Sequence, residues 1–363
     1  MFDQIKEFIN PKQNPDLTQA HAFQRQHLPT LWLLGKTGAG KSSFIQVVTG
    51  LSSVEVGNGF EPCTLTAQAY EFPQDKPIMR FLDTRGLGEA DYDPAQDLKE
   101  MGESGNAIVV VMKADDPEQS AVLNALKQIK KNKQIKHLLL IHSAVLLSEV
   151  SERERQVAFN ENQVREVWGK EIESVCVDFE KEDGTVYHYD LLLATLSNIL
   201  PVINLLVEDK EHATAEAENF DKVQNEVLWY AGSAAASDLI PGVGLVSVPA
   251  IQAKMLHGLA NQYAVEWNKR TFSELIGTLG SGFALQYSVK LGARQLIKFI
   301  PVYGQTVGAV AAAAMSFGTT YGLGRAACYY FYHKSKGETV SEQAMQALYK
   351  KSLKKGKAAS GYE

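Results

Sequence analysis

Cysteine is scarce in this chain. The three present, Cys63, Cys176 and Cys328, are far apart and odd in number. That excludes a disulfide framework and paired metal-ligand spacing, and it points to a reducing compartment. An excess of basic charge is also missing. A formal net charge of -6 argues against a general nucleic-acid binder, whose surface would be dominated by Lys and Arg. The first residues, MFDQIKEFINPKQNPD, have no apolar core of the signal-peptide kind, so the expected location is cytoplasmic. Apolar residues are not lacking. With 45% hydrophobic and 21% charged residues the composition is globular, and 363 residues suggest two cores rather than one.

Four segments follow from the pattern along the chain. Residues 1–29 read as a helical lead-in and linker. Residues 30–204 alternate strands and helices: Thr30–Leu34, then a helix from Lys41, strands near 65–72 and 79–83, the β-branched run 107–112, a helix near 117–132, a strand at 137–143, a helix near 151–169, a strand near 172–179 and a helix at 191–200. This order predicts an α/β fold, a mainly parallel sheet with helices on both faces, with ligands at the carboxyl ends of the strands. Residues 205–335 hold no convincing strand and are rich in Ala and Gly, which predicts an all-α domain, and residues 336–363 read as a basic tail.

Gly35-Lys36-Thr37-Gly38-Ala39-Gly40-Lys41-Ser42 fits G-x-x-x-x-G-K-[ST] between a strand and a helix, the P-loop context. Glycines let main-chain N–H groups curl around phosphates at a helix N-terminus, which adds positive potential. Lys41 is expected on the β- and γ-phosphates, Ser42 on Mg²⁺, and Ser43 on the phosphate beside it. Asp83, ending a strand, is the expected second metal partner, and Asp83-Thr84-Arg85-Gly86 has the D-x-x-G form in which Gly86 N–H senses the γ-phosphate. In the stretch between them Thr64 is the expected hydroxyl closing on Mg²⁺, with Thr66 as the alternative. Leu87 stands where a water-orienting glutamine is often found, so that group must come from elsewhere.

Guanine is normally read by an N/T-K-x-D motif. Met112-Lys113-Ala114-Asp115 resembles it but follows the wrong strand. The next strand ends in Ile141-His142-Ser143-Ala144-Val145 with no aspartate, and Cys176-Val177-Asp178 occupies the place of the usual S-A-K loop. Lys113, Asp115 and Asp116 are candidates for bordering the site, and His142 for contacting a base.

LPTLWLLGKTGAGKSSFIQVVTG, GNGFEPCT and FLDTRGLGE resemble bacterial GTPases of the Era and TrmE wing of the P-loop class. SDLIPGVGLVSVPAIQAKMLHGLANQYAVEW and IPVYGQTVGAVAAAAMSFGTTYGLGRA resemble the helical domain of YcjF proteins. The resemblance covers most of the chain. It implies Mg²⁺-dependent hydrolysis of GTP to GDP, coupled to a helical module associated with membranes, with Lys41, Ser42, Thr64, Asp83 and Gly86 matching the pattern. Gly38 stands where potassium-dependent members carry Asn or Ser, so potassium activation is not expected.

Residues 299–324 hold no charged residue, long enough to span a hydrocarbon core but filled with Gly, Ala, Thr and Ser. Gly304, Gly308 and Ala312 offer a small-residue face. A soluble bundle and a hairpin in or on the bacterial inner membrane are both open readings. Lys290, Arg294 and Lys298 form a cationic stripe, and Lys350, Lys351, Lys354, Lys355 and Lys357 suit an anionic membrane surface at about 1 kcal/mol per well-placed Lys. The expected partners are guanine nucleotide, that surface, and a second copy or a protein effector. The leading reading is a regulatory GTPase. A nucleotide-binding module with negligible turnover, or an ATPase, remains the alternative.

Overall fold

The computed structural model describes residues 17–52, 61–62, 67–84, 106–131, 135, 137–179, 184–207, 214–240, 243–280 and 305–361. It divides into two compact units, Gln26–Leu200, and Pro201–Glu363 together with the stretch ending at Arg25.

The first unit is built on a seven-stranded sheet in the order β2-β3-β4-β1-β5-β6-β7. Its strands are β1 (Thr30–Leu34), β2 (Glu61–Pro62), β3 (Ala67–Phe72), β4 (Met79–Thr84), β5 (Asn106–Lys113), β6 (His137–Ser143) and β7 (Glu173–Cys176). From β4 through β7 all neighbours are parallel, and β2 and β3 form an antiparallel edge. All five residues of β1 are buried, as expected of a central strand covered on both faces.

Strand alternation assigns the two faces. Trp32, Leu34, Leu82, Ile108, Val110, Met112, Leu138 and Leu140 share one apolar cluster with two helices, α3 (Ser120–Ile129) and α4 (Val150–Trp168). Helix α3 presents Val122, Ala125, Leu126 and Ile129, a stripe at i, i+3, i+4 and i+7. Helix α4 presents Asn160, Val164 and Trp168 at i, i+4 and i+8. On the opposite face Phe81 meets Phe44 of α2 (Lys41–Thr49) edge-on, with ring centroids 6.4 Å apart, and Tyr70 at 6.2 Å. Helix α5 (Tyr189–Ile199) closes the unit.

Every described element of the second unit is a helix: α1 (Thr18–Gln26), α6 (Val202–Val207), α7 (Ala215–Leu239), α8 (Gly244–Gln262), α9 (Lys269–Thr278), α10 (Gln305–Ser335) and α11 (Glu342–Ala359). Composition marks the segment carrying α1 as linker, but Gln24 is buried there because its amide donates to Trp229 O at 3.1 Å and it pairs with Ser233. A polar residue with its hydrogen bonds satisfied inside is invisible to a hydropathy pattern.

The basic stretch after residue 336 is no loose tail either. Helix α11 starts at Ser341, whose hydroxyl accepts from Ala344 N at 3.3 Å, and packs along α10. A Cβ on Gly318 would lie 2.8 Å from Leu353 O, and one on Gly322 would lie 3.0 Å from Leu353 N, so the two backbones mesh. The glycines that pack α10 closely on α11 are thus Gly318 and Gly322. Among the described residues nothing packs within 4 Å of a Cβ on Gly308, and Gly304 lies outside them.

Inside α10, Arg325 pairs with Glu216 of α7 through two bonds of 2.6 and 2.8 Å, beneath the Phe220 ring at 4.4 Å. Among the described residues no helix is long and apolar enough to cross a membrane. The cationic stripe of Lys290, Arg294 and Lys298 lies outside them.

Candidate functional site

The loop Gly35–Gly40 leaves the end of β1 and turns into α2. Gly35 passes so close to β5 that a Cβ would meet Val111 O at 2.5 Å. Gly40 takes φ +101°, a left-handed conformation that side chains disfavour, immediately before the helix starts. No side chain caps α2 at Gly40, so its first N–H groups face the loop as donors.

Lys41 folds back over this loop. Its ammonium donates to Gly35 O at 2.8 Å and Lys36 O at 3.2 Å, and stands 3.9 Å from Asp83 Oδ1. Burial lowers the Lys41 pKa, and the Asp83 charge opposes that shift. Asp83 reaches this place because β4 lies beside β1 with Asp83 level with Leu33. Ser42 is exposed at the helix start, Ser43 half-buried behind it, and Thr37 and Gly38 form the exposed rim of the loop, with Ala39 buried beneath. Thr64, Thr66 and Gly86 lie outside the described residues.

Two further ties hold the loop, neither anticipated from sequence. Lys36 pairs with Asp116 Oδ2 and Glu118 Oε2, both at 2.9 Å, which fastens the loop to the segment after β5. These bonds, that to Glu118 first, raise the Lys36 pKa. Asp116, weighed as a site border, is therefore held by the loop's own lysine. On the other side Ser143, the last residue of β6, donates its hydroxyl to Ala39 O at 2.7 Å.

Beyond β6 and β7 the loops interlock. Val177 N donates to His142 O at 2.8 Å, and Leu146 N donates to Asp178 Oδ2 at 3.1 Å. Asp178 also bridges to Tyr187, whose ring stacks on His188 at 3.8 Å. Phe179 lies against the phosphate loop: a Cβ on Gly40 would come within 3.1 Å of its ring.

His142 does not join this group. Ser143 points to the phosphate loop, so alternation sends His142 to the face shared by Leu138, Leu140 and α4. It is fully buried there, neither ring nitrogen has a hydrogen-bond partner, and burial lowers its pKa to about 4 against the pull of Glu161. The expectation of a base contact from His142 is corrected accordingly. The one available signal was parity: in a parallel strand, only one of two successive residues faces the loop.

Residues 30–143 match the family model described as 50S ribosome-binding GTPase. Magnetosome membrane protein 22 of Magnetospirillum gryphiswaldense is 27% identical over 137 residues, which cover 37% of this chain and 70% of that protein. Among solved structures, a bacterial selenocysteine-specific elongation factor, EF-Sec, aligns at a TM-score of 0.33 and 17% identity, over 49% of this chain and 29% of that one. An ADP ribosylation factor-like GTP binding protein, the small COPII coat GTPase SAR1 of Encephalitozoon cuniculi in complex with GDP, aligns at 0.29 and 10%, over 45% and 78%. With its glycine loop, returning lysine and strand order, the segment 30–143 is a P-loop GTPase domain.

Proposed function

We propose that this chain hydrolyses GTP to GDP and phosphate with Mg²⁺, and that its helical half links the nucleotide state to an anionic membrane surface. The observation that carries the catalytic half is Lys41, a half-buried ammonium held over the mouth of the phosphate loop by two main-chain carbonyls and facing Asp83. A partly desolvated cation in that position suits a phosphate chain, which offers it stronger acceptors than carbonyls.

The donor set also fits a hard divalent cation. Ser42 and Asp83 offer hydroxyl and carboxylate oxygens, and the sequence adds Thr64. Bound there, Mg²⁺ would neutralise charge on the β- and γ-phosphates. Lys41 and the first N–H groups of α2 stabilise charge on the transferred phosphoryl, and Gly86 supplies a γ-phosphate-dependent contact.

Support for the membrane half comes from α11. Its inward face buries Met345, Ser352, Gly356 and Ala359 while Lys350, Lys351, Lys354 and Lys357 are exposed. No acidic residue occurs between Glu342 and Glu363. A lysine face on a rigid helix attracts anionic headgroups.

Titration of the full chain with labelled GTP and ATP in Mg²⁺, with and without phosphatidylglycerol vesicles, tests both halves. Expected are selective GTP binding, phosphate release that vesicles stimulate, and loss of release in Lys41→Ala. Equal ATP affinity would favour an ATPase, binding without turnover would favour a nucleotide-dependent binding module, and indifference to vesicles would remove the membrane role.

A further inference from the structure

The stretch that ends β6 and enters the next loop, residues 142–147, carries no acidic side chain. Leu146 and Leu147 occupy it, 44% and 73% exposed, and neither accepts a hydrogen bond through its side chain. We infer that Asp178, from the loop after β7, reads guanine in its place. The inference rests on the GTP-binding reading above.

Position supports it first. Asp83 on β4 sets the metal end of the site on one side of β1, so the nucleoside extends the other way, over the carboxyl ends of β5, β6 and β7. Five carboxylates besides Asp178 follow those strands in the loops among the described residues. Asp115, Glu149 and Asp190 are exposed, and Asp116 and Glu118 are held by Lys36. Asp178 is 9% exposed and, among the described residues of Gln26–Leu200, it is the carboxylate that is buried.

Anchoring supports it next. One carboxylate oxygen accepts Leu146 N at 3.1 Å, so Asp178 is tied to the stretch that follows β6. Its main chain is fixed by the bridge to Tyr187, with Tyr187 N donating to Asp178 O at 2.8 Å. The ring of the next residue, Phe179, would lie 3.1 Å from a Cβ on Gly40, and Ser143 Cβ would lie 3.7 Å from that same position. Asp178 therefore sits one residue from the phosphate loop, braced at both ends.

Chemistry completes the case. Guanine presents two adjacent donors, N1–H and the 2-amino group, and an ionised carboxylate is acceptor-only, with two oxygens set as a pair. Adenine presents an acceptor at N1, which a carboxylate repels. Phe179, half-buried beside Gly40, adds an apolar ring to the same corner.

The test is a binding series on the full chain with GDP, IDP, XDP and ADP in Mg²⁺. The wild type should bind IDP, which lacks the 2-amino donor, about 10-fold more weakly than GDP. Asp178→Asn should weaken GDP by about 10- to 100-fold and bind XDP better than the wild type does, because an amide donates to the 2-carbonyl of xanthine. A purely structural role for Asp178 cannot produce that gain. An unchanged GDP-to-XDP ratio in Asp178→Asn overturns the assignment, and so does equal wild-type affinity for GDP and IDP, a measurement that needs no variant to fold. Loss of wild-type preference for guanine over adenine nucleotides would instead sink the GTP reading itself.

Discussion

Ser143 and Ala39, 104 residues apart, are joined by a buried hydrogen bond of 2.7 Å from hydroxyl to main-chain carbonyl. It fixes the phosphate loop against the end of β6, on the side proposed above for the base. Replacing Ser143 by Ala leaves the Ala39 carbonyl without this donor. The expected cost is about 1–3 kcal/mol in urea unfolding, with weaker nucleotide binding and no change in base preference. A variant that keeps its stability and its GDP affinity would show that the tie is dispensable.

The pair Glu216 and Arg325 makes a sharper prediction in the helical unit. Both side chains are nearly buried, at 9% and 11% exposure, and bonded twice. Glu216→Ala strands a guanidinium under Phe220 and is expected to cost about 3–5 kcal/mol. The double variant Glu216→Leu, Arg325→Met, which removes both charges, should recover most of that loss. Equal destabilisation by the single and double variants would mean that packing, not charge, is what Glu216 supplies.

Gly322→Ala tests the mesh of α10 with α11. Helix propensity alone predicts a gain of about 1 kcal/mol. The added methyl would meet Leu353 N at 3.0 Å and Tyr349 O at 3.1 Å, and overpacking of this kind costs about 1–3 kcal/mol. Net destabilisation in thermal or urea melts is therefore expected, whereas Gly308→Ala, with open space around it, should be neutral or stabilising.

Acid should weaken the protein through one buried and one half-buried histidine. His142 and His21 both have pKa values lowered to about 4, by burial first, with Glu161 opposing at His142 and Lys254 adding at His21. The unfolded chain takes up these protons near pH 6.5, so stability is full above that pH and falls as pH drops from 6.5 toward 4. For His142 the loss approaches about 3 kcal/mol. Urea midpoints at pH 7 and pH 4.5 measure it, and His142→Leu should flatten the slope. A slope unchanged in that variant would assign the effect elsewhere.

The phosphate loop and the central strands were legible because their signals are local. A glycine loop between TLWLL and a helix, and a β-branched run at 107–112, need no distant information. The helical character of the second half was legible from composition. What escaped depends on contacts across the chain. Asp178 reaches Leu146 over 32 residues, and Gln24 reaches Trp229 over 205. Nothing beside either residue in sequence marks those partnerships. The lysines of α11 misled in a different way: a run of charge describes one face of a helix and is silent about the glycines of α10 that hold the other.

Those glycines set the grain of any movement in the helical half. Where a helix rides on side chains, it can drift by small amounts as rotamers adjust. Where main chain rests in a notch at Gly318 and Gly322, and a Cβ on Gly356 would lie 3.0 Å from the Tyr321 side chain in return, fractional sliding drives backbone into backbone. Displacement of α11 along α10 then comes in whole helical turns of about 5.4 Å, or as complete release. A signal passed through this pair would be counted in steps.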